Sequence, residues 1–188
     1  MRLDRRLLLL ASGALVVAGR AAAHTMGPVK PAVAVPKISF TGADGKVAEL
    51  APLLKGKITG LQLMFTRCTA MCPIQGAIFG DTQKQLAKDP AAFQLLSLSI
   101  DAKGDTAKSM AAWLKKMNAE ATRWNGGVFV AADLDPMLDF VRGRADGADS
   151  HTAQVYLFNR NAEFVYRTAE MPTATEVVSA MRQVATAT

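Results

Sequence analysis

An α/β sandwich is the fold class that this 188-residue sequence predicts. Two observations carry most of that expectation. Residues 58–65 form a largely apolar run with β-branched and aromatic members, the pattern of a buried central strand, and residues 93–100 read as a second one. Helix-like stretches separate and follow them, the alternation of an α/β fold. A third observation limits the size: once the first 23 residues are set aside, about 165 remain, with no linker or repeat, enough for one domain with a substantial core.

Residues 1–23 are expected to be an export signal. Arg2, Arg5 and Arg6 form a basic start, residues 7–18 a twelve-residue apolar core, and Ala21, Ala22 and Ala23 the small residues of a cleavage site. Twelve residues rise about 18 Å as a helix against a hydrocarbon core of roughly 30 Å, so a cleaved signal is favoured over a membrane anchor. Arg5-Arg6 and Arg20 are also compatible with twin-arginine export. Removing the segment takes away four arginines and one aspartate, which leaves 18 basic against 15 acidic side chains, a net charge of +3. These charges are interspersed, so neither a nucleic-acid face nor a polybasic membrane patch is expected. Export points to a periplasmic protein that touches a membrane only through a client or an uncleaved signal.

The elements follow in order. Residues 24–36, rich in Pro, Ala and Val, are expected as an extended arm, with the domain occupying 37–188. Residues 37–40 and 46–50 flank Gly42-Ala43-Asp44-Gly45, a hairpin signal that gives the fold an N-terminal β-hairpin extension. After the strand at 58–65, Ile74, Ala77, Ile78 and Leu86 mark the apolar face of a helix reaching about residue 88. The strand at 93–100 leads to a helix capped by Asp105 or Thr106 and carrying Met110, Trp113, Leu114 and Met117. A short strand at 127–132 and a short helix at 136–141, opened by Asp135, follow. Residues 155–158 and 164–167 form a hairpin across 159–162, and a helix over 175–184 closes the chain. Trp113 and Trp124 read as packing residues.

Both cysteines of the chain lie in the loop between the first central strand and its helix, at Cys68 and Cys72, with Pro73 in the helix's first turn. That position suggests a metal or redox site, because a helix N-terminus favours thiolate and sites of open α/β sheets lie beyond the carboxyl ends of their strands. The element order β-α-β-α-β-α-β-β-α, with a reactive Cys loop after the first core strand, is that of a thioredoxin-like sandwich. In such folds the residues before the late hairpin strand face the Cys loop. Here they are Ser150-His151-Thr152-Ala153, and the proline that thioredoxin-type oxidoreductases place there is missing.

The chain resembles the Sco/SenC family of copper chaperones for cytochrome oxidase assembly over about residues 38–178. The signatures are Cys68-Thr69-Ala70-Met71-Cys72-Pro73 for the family's CxxxCP, Ser97-Leu98-Ser99-Ile100-Asp101 with Asp105-Thr106, and His151-Thr152 ahead of Tyr156-Leu157. The resemblance implies that Cys68, Cys72 and His151 bind copper, that a donor protein supplies it, and that an oxidase subunit receives it. Thr69, Ser150 and Asn159-Arg160-Asn161 depart from the family's usual residues, the mark of a divergent member. Two thiolates and an imidazole are a soft set suited to Cu(I), and to Cu(II) if a carboxylate or water completes the sphere. Structural zinc normally takes four protein ligands.

Other readings of the same residues stay open. A structural disulfide between Cys68 and Cys72 closes a loop of five residues and restrains the unfolded chain by only about 2 kcal/mol. A periplasmic thiol-disulfide oxidoreductase using the pair to reduce client cysteines is the second function class. Met71 reads as packing under the loop, although a thioether can touch Cu(I). Asp101 is either a group near a metal or a turn-forming acid. His24, first residue of the mature chain if cleavage follows Ala23, reads as incidental despite Met26 nearby.

Overall fold

The computed structural model describes residues 26–89, 92–145 and 151–187. The expected export signal, His24 and Ser150 lie outside them. The described elements are β1 (Gly27–Ala34), β2 (Ser39–Gly42), β3 (Val47–Glu49), α1 (Leu50–Leu54), β4 (Ile58–Met64), α2 (Met71–Gln85), β5 (Phe93–Ser99), α3 (Ala107–Lys116), β6 (Trp124–Phe129), α4 (Ala131–Val141), β7 (Val155–Phe158), β8 (Glu163–Arg167) and α5 (Ala174–Thr186). They make one eight-stranded sheet in the order β1-β8-β7-β4-β5-β6-β2-β3.

The two strands expected at 58–65 and 93–100 are the central strands. β4 and β5 pair in parallel from Ile58↔Phe93 to Met64↔Ser99, and every residue in both is buried. Strands covered on both faces are largely apolar, and the polar residues they do carry bond to each other, Gln62 to Ser97 at 2.8 Å and Gln94 to Thr59 at 2.7 Å. One face carries Phe79, Met110, Trp113, Trp124, Val177 and Met181, brought by α2, α3, β6 and α5. The other carries Leu50, Leu54, Met137, Leu138 and Val141 from α1 and α4, against Leu61, Leu63 and Tyr156. Each fully buried large side chain of this kind stabilises the fold by about 1.5–3 kcal/mol. The tryptophans pack as expected, with ring centroids 5.8 Å apart and near-perpendicular planes.

Several elements differ from expectation, each for a physical reason. The segment expected as an arm is extended, but Gly27–Ala34 is also the outermost strand, paired antiparallel with β8. The hairpin β2–β3 joins the opposite edge through β6. Strand β6 begins at Trp124 rather than 127, with Gly126 and Gly127 inside it. A Cβ on Gly127 would collide with the Phe40 ring and the Thr41 carbonyl, so these glycines permit close strand approach and do not break the strand. Helix α4 begins at Ala131 and runs through Pro136, forgoing one backbone bond.

The buried face of α2 is only partly the predicted one: Leu86 is buried and Ile78 packs partly against the core, but most of the inward face is not apolar. Ile74 is 52% exposed, and the face turned inward is Cys72, Gln75, Gly76, Phe79, Gly80, Thr82 and Gln83. Gly76 lets the helix close against Met117 and Trp113. Gln83 donates to the Asn118 carbonyl at 2.8 Å and accepts from the Glu120 N–H at 2.9 Å. Small and amide side chains replace apolar ones here because α2 packs on the end of α3 and the loop after it.

Candidate functional site

Sheet register places the site. β4 and β7 pair antiparallel with Gln62 opposite Val155, and continuing that pairing brings residues 151–153 alongside 64–66. His151 is found there, its ring edge-on to Phe65 with centroids 6.2 Å apart. On the other side, the Ile100 N–H donates to the Met64 carbonyl at 2.9 Å, so the loop after β5 lies beside the Cys loop. Three loops therefore meet at the carboxyl end of β4.

Cys68 and Cys72 are both buried and in the thiol form. Helix α2 begins at Met71, which puts Cys72 in its first turn, and the Cys72 N–H donates to Cys68 Sγ at 3.3 Å. Burial pushes the Cys68 thiol up. The N–H groups of Cys72, Ala70 and Met71, together with the Cys72 side chain, outweigh it and hold the thiol below its ordinary value. These are the unsatisfied donors of a helix N-terminus turned onto a sulfur.

The loop after β5 grips the two residues ahead of Cys68. Asp105, expected as a helix cap, is buried instead. It accepts from the Thr66 N–H at 2.7 Å, from the Ser99 hydroxyl at 2.6 Å, and from the Thr66 hydroxyl. Thr106 is the cap, in a capping box with Ser109. Asp101 accepts from the Gly104 N–H at 2.8 Å and pairs with Arg67 at 2.5 Å. That hydrogen bond from Arg67 is the main cause holding the Asp101 carboxyl below the usual carboxylate range, against some burial. Of the two readings of Asp101, its contacts are those of the turn acid. A Cβ on Gly104 would meet the Arg67 guanidinium and the Asp101 carboxylate, so a larger residue there would displace this ion pair.

His151 is 6% exposed. Its Nδ1 lies 2.9 Å from the Thr152 carbonyl, and its Nε2 is buried with no hydrogen-bond partner. An N–H at Nδ1 satisfies the carbonyl and leaves the Nε2 lone pair unengaged, as in a histidine prepared for a metal. Thr152 is fixed by its N–H to the Gly143 carbonyl at 2.9 Å and by a hydroxyl contact with Tyr156, whose phenol burial pushes up to about 12. The Tyr156 hydroxyl therefore stays protonated at any working pH.

Two cysteine sulfurs, Cys68 the more readily ionised for its depressed thiol, and one imidazole with an unengaged lone pair are a donor set that fits a soft ion. Among the described residues, however, no three His, Cys, Asp or Glu side chains are gathered as a metal-ligand cluster. The thiols stand together, and the imidazole stands at Phe65. Closing the set requires His151 and the two thiols to come nearer to one another. A groove of about 610 Å³ between β1, β8 and α5 is lined by Val29, Val165, Tyr166 and Val184, and holds none of the three. Among the described residues no helix is long and apolar enough to cross a membrane.

Sequence reasoning missed Gln75 and Glu170. Gln75, three residues beyond Cys72, is buried with neither amide atom partnered; its only signal was a polar residue where a helix needed a core side. Glu170 accepts from the Ala153 N–H at 2.6 Å, and nothing in the spacing marked it.

Comparison with known proteins adds to this geometry. A family model described as SCO1/SenC matches residues 31–186. The SCO1 protein homolog of Bacillus subtilis (strain 168) is 32% identical over 76 residues, 40% of this chain and 39% of that protein. The match thus spans well under half of that relative. The structure of BsSco, described as a member of the Sco family of cytochrome c oxidase assembly proteins with a disulfide switch, superposes with a TM-score of 0.71 at 18% identity, covering 87% of this chain and 99% of that one. Bradyrhizobium japonicum ScoI with copper bound gives 0.64 at 22%, covering 85% and 98%. At these identities the likeness carries the fold, a thioredoxin-like sandwich with the hairpin β2–β3 added at one edge.

Proposed function

The chain belongs to the SCO1/SenC family, and from that premise we propose that it is a periplasmic copper-binding chaperone whose site is Cys68, Cys72 and His151. The observation that carries this reading is the buried His151 ring, held by Nδ1 with Nε2 unpartnered, on the loop adjoining the two thiols. Copper is cargo here, taken from a donor protein and passed to a respiratory oxidase subunit. The thiolates supply the soft ligands for Cu(I), and binding releases their protons. His151 adds the nitrogen that Cu(II) prefers. Support comes also from the copper-bound relative and from the export signal expected in residues 1–23.

A second reading is favoured by the depressed Cys68 thiol. As a thiol-disulfide oxidoreductase, the Cys68 thiolate attacks a client disulfide and forms a mixed disulfide. Cys72 then displaces the client sulfur. The client gains two electrons and two protons, and Cys68–Cys72 is left oxidised.

Copper titration of the reduced protein followed by absorption separates the two. His151→Ala is expected to keep about one Cu(I) on the thiolates while losing the thiolate-to-Cu(II) band, because only Cu(II) depends strongly on the nitrogen. Wild-type affinity and spectrum for both oxidation states in that variant would remove His151 from the site and put the oxidoreductase first.

A further inference from the structure

The carbonyl that receives His151 Nδ1 belongs to the peptide unit between Thr152 and Ala153. The N–H of that same peptide donates to Glu170 Oε2 at 2.6 Å. A trans peptide points its C=O and N–H in opposite directions, so the unit stands between a carboxylate on one side and an imidazole on the other. We infer that Glu170 is a positioning residue for His151, acting through the Thr152–Ala153 peptide to orient the ring and hold its Nδ1–H tautomer. The assignment deepens the reading of His151 as a copper ligand and rests on it.

The physical argument is a hydrogen-bond chain. A short bond from an amide N–H to a carboxylate is charge-assisted. It polarises the peptide and makes its carbonyl a better acceptor, and the strengthening passes along the chain. A better acceptor at Thr152 favours the proton on Nδ1 and leaves Nε2 the more basic nitrogen. Metal-bound histidines commonly receive this help from a carboxylate in direct contact. In this chain the residue before His151 is Ser150, and Glu170 is the carboxylate that reaches the ring's carbonyl partner, one peptide removed.

The surrounding contacts leave this peptide little freedom except through Glu170. The Thr152 N–H is held by the Gly143 carbonyl, and its hydroxyl by Tyr156. His151 itself forms an isolated antiparallel bridge with Arg144. A Cβ on Gly143 would lie 2.8 Å from Leu63 and 2.9 Å from the Tyr156 hydroxyl, so this side of the support is closely packed. Glu170 is exposed and makes no ion pair among the described residues, so it can be changed without opening the core.

The test starts with metal-free, reduced protein, where the chain's two histidines make ring nitrogen resonances simple to assign. Wild type is expected to show His151 with Nδ1 protonated and Nε2 bare. In Glu170→Ala the ring should move toward a mixture of tautomers, and Glu170→Gln, which keeps an acceptor but loses the charge, should fall between. With copper, Cu(II) affinity should drop about 10-fold in the Gln variant and up to about 100-fold in the Ala variant, as for other outer carboxylates, while Cu(I) stays within about twofold. Unchanged His151 ring signals in Glu170→Ala would overturn the inference. If His151→Ala leaves copper binding untouched, the proposed copper site fails instead, and the ring measurement still decides the role of Glu170.

Discussion

Cys68 illustrates how opposing residue-scale effects are resolved. The side chain is 8% exposed, and burial alone raises a thiol. Three backbone N–H groups at the start of α2 and the Cys72 thiol lower it by more. A thiol depressed in the folded state stabilises that state above its unfolded value, and the contribution is lost as pH falls through the folded value. Stability of the reduced protein should therefore rise with pH up to the ordinary thiol value of 9.0 and level off beyond it. Urea midpoints measured between about pH 7 and 10 check this, and in Cys68→Ala the slope should shrink. A wild-type slope that persists in the variant would assign it to another group. The sequence showed the cause here, since Cys72-Pro73 opens a helix. It did not show Gln75 or Glu170, whose roles depend on chain segments remote in sequence.

At the scale of the element, the central strands and the Cys-loop helix were legible because their signals are local: a predominance of apolar residues for β4 and β5, Pro73 in a first turn for α2. The orientation of α2 was not legible. Periodicity assumes that apolar residues face inward, whereas Gly76, Gly80 and Gln83 face α3 and its following loop. A distant partner likewise decides between the two expected caps: Asp105 turns to Thr66 and Ser99, and Thr106 caps α3. Their substitutions should differ accordingly. Thr106→Ala removes one cap and should cost about 1 kcal/mol. Asp105→Ala leaves the Thr66 N–H and the Thr66 and Ser99 hydroxyls without their acceptor, at about 1–3 kcal/mol for each group that stays buried. Denaturant midpoints should rank Asp105→Ala well below Thr106→Ala. Equal losses would mean that Asp105 does not hold the loop before Cys68.

Across the whole molecule, the site sits on a scaffold that does not depend on it. The sheet is covered on one face by α2, α3 and α5 and on the other by α1 and α4. The loop carrying Cys68 is held by Asp105 and Asp101 from the neighbouring loop, and the segment after His151 by Gly143, Tyr156 and Glu170. The two sulfurs belong to the first of the two cores, yet each is small beside Phe79, Trp113 and Trp124. Removing one should cost about 1–2 kcal/mol for a small cavity, lowering the melting temperature by roughly 2–4 °C per kcal/mol in a domain of this size. Cys68→Ala and Cys72→Ala should each unfold in one cooperative transition with the wild-type denaturant slope, while copper binding and thiol exchange are lost. A fixed slope identifies a change of stability without a change of structure. Loss of the cooperative transition in both metal-free variants would instead make the pair a structural element, and the placement of two thiols and an imidazole at the end of β4 would then concern folding and not chemistry.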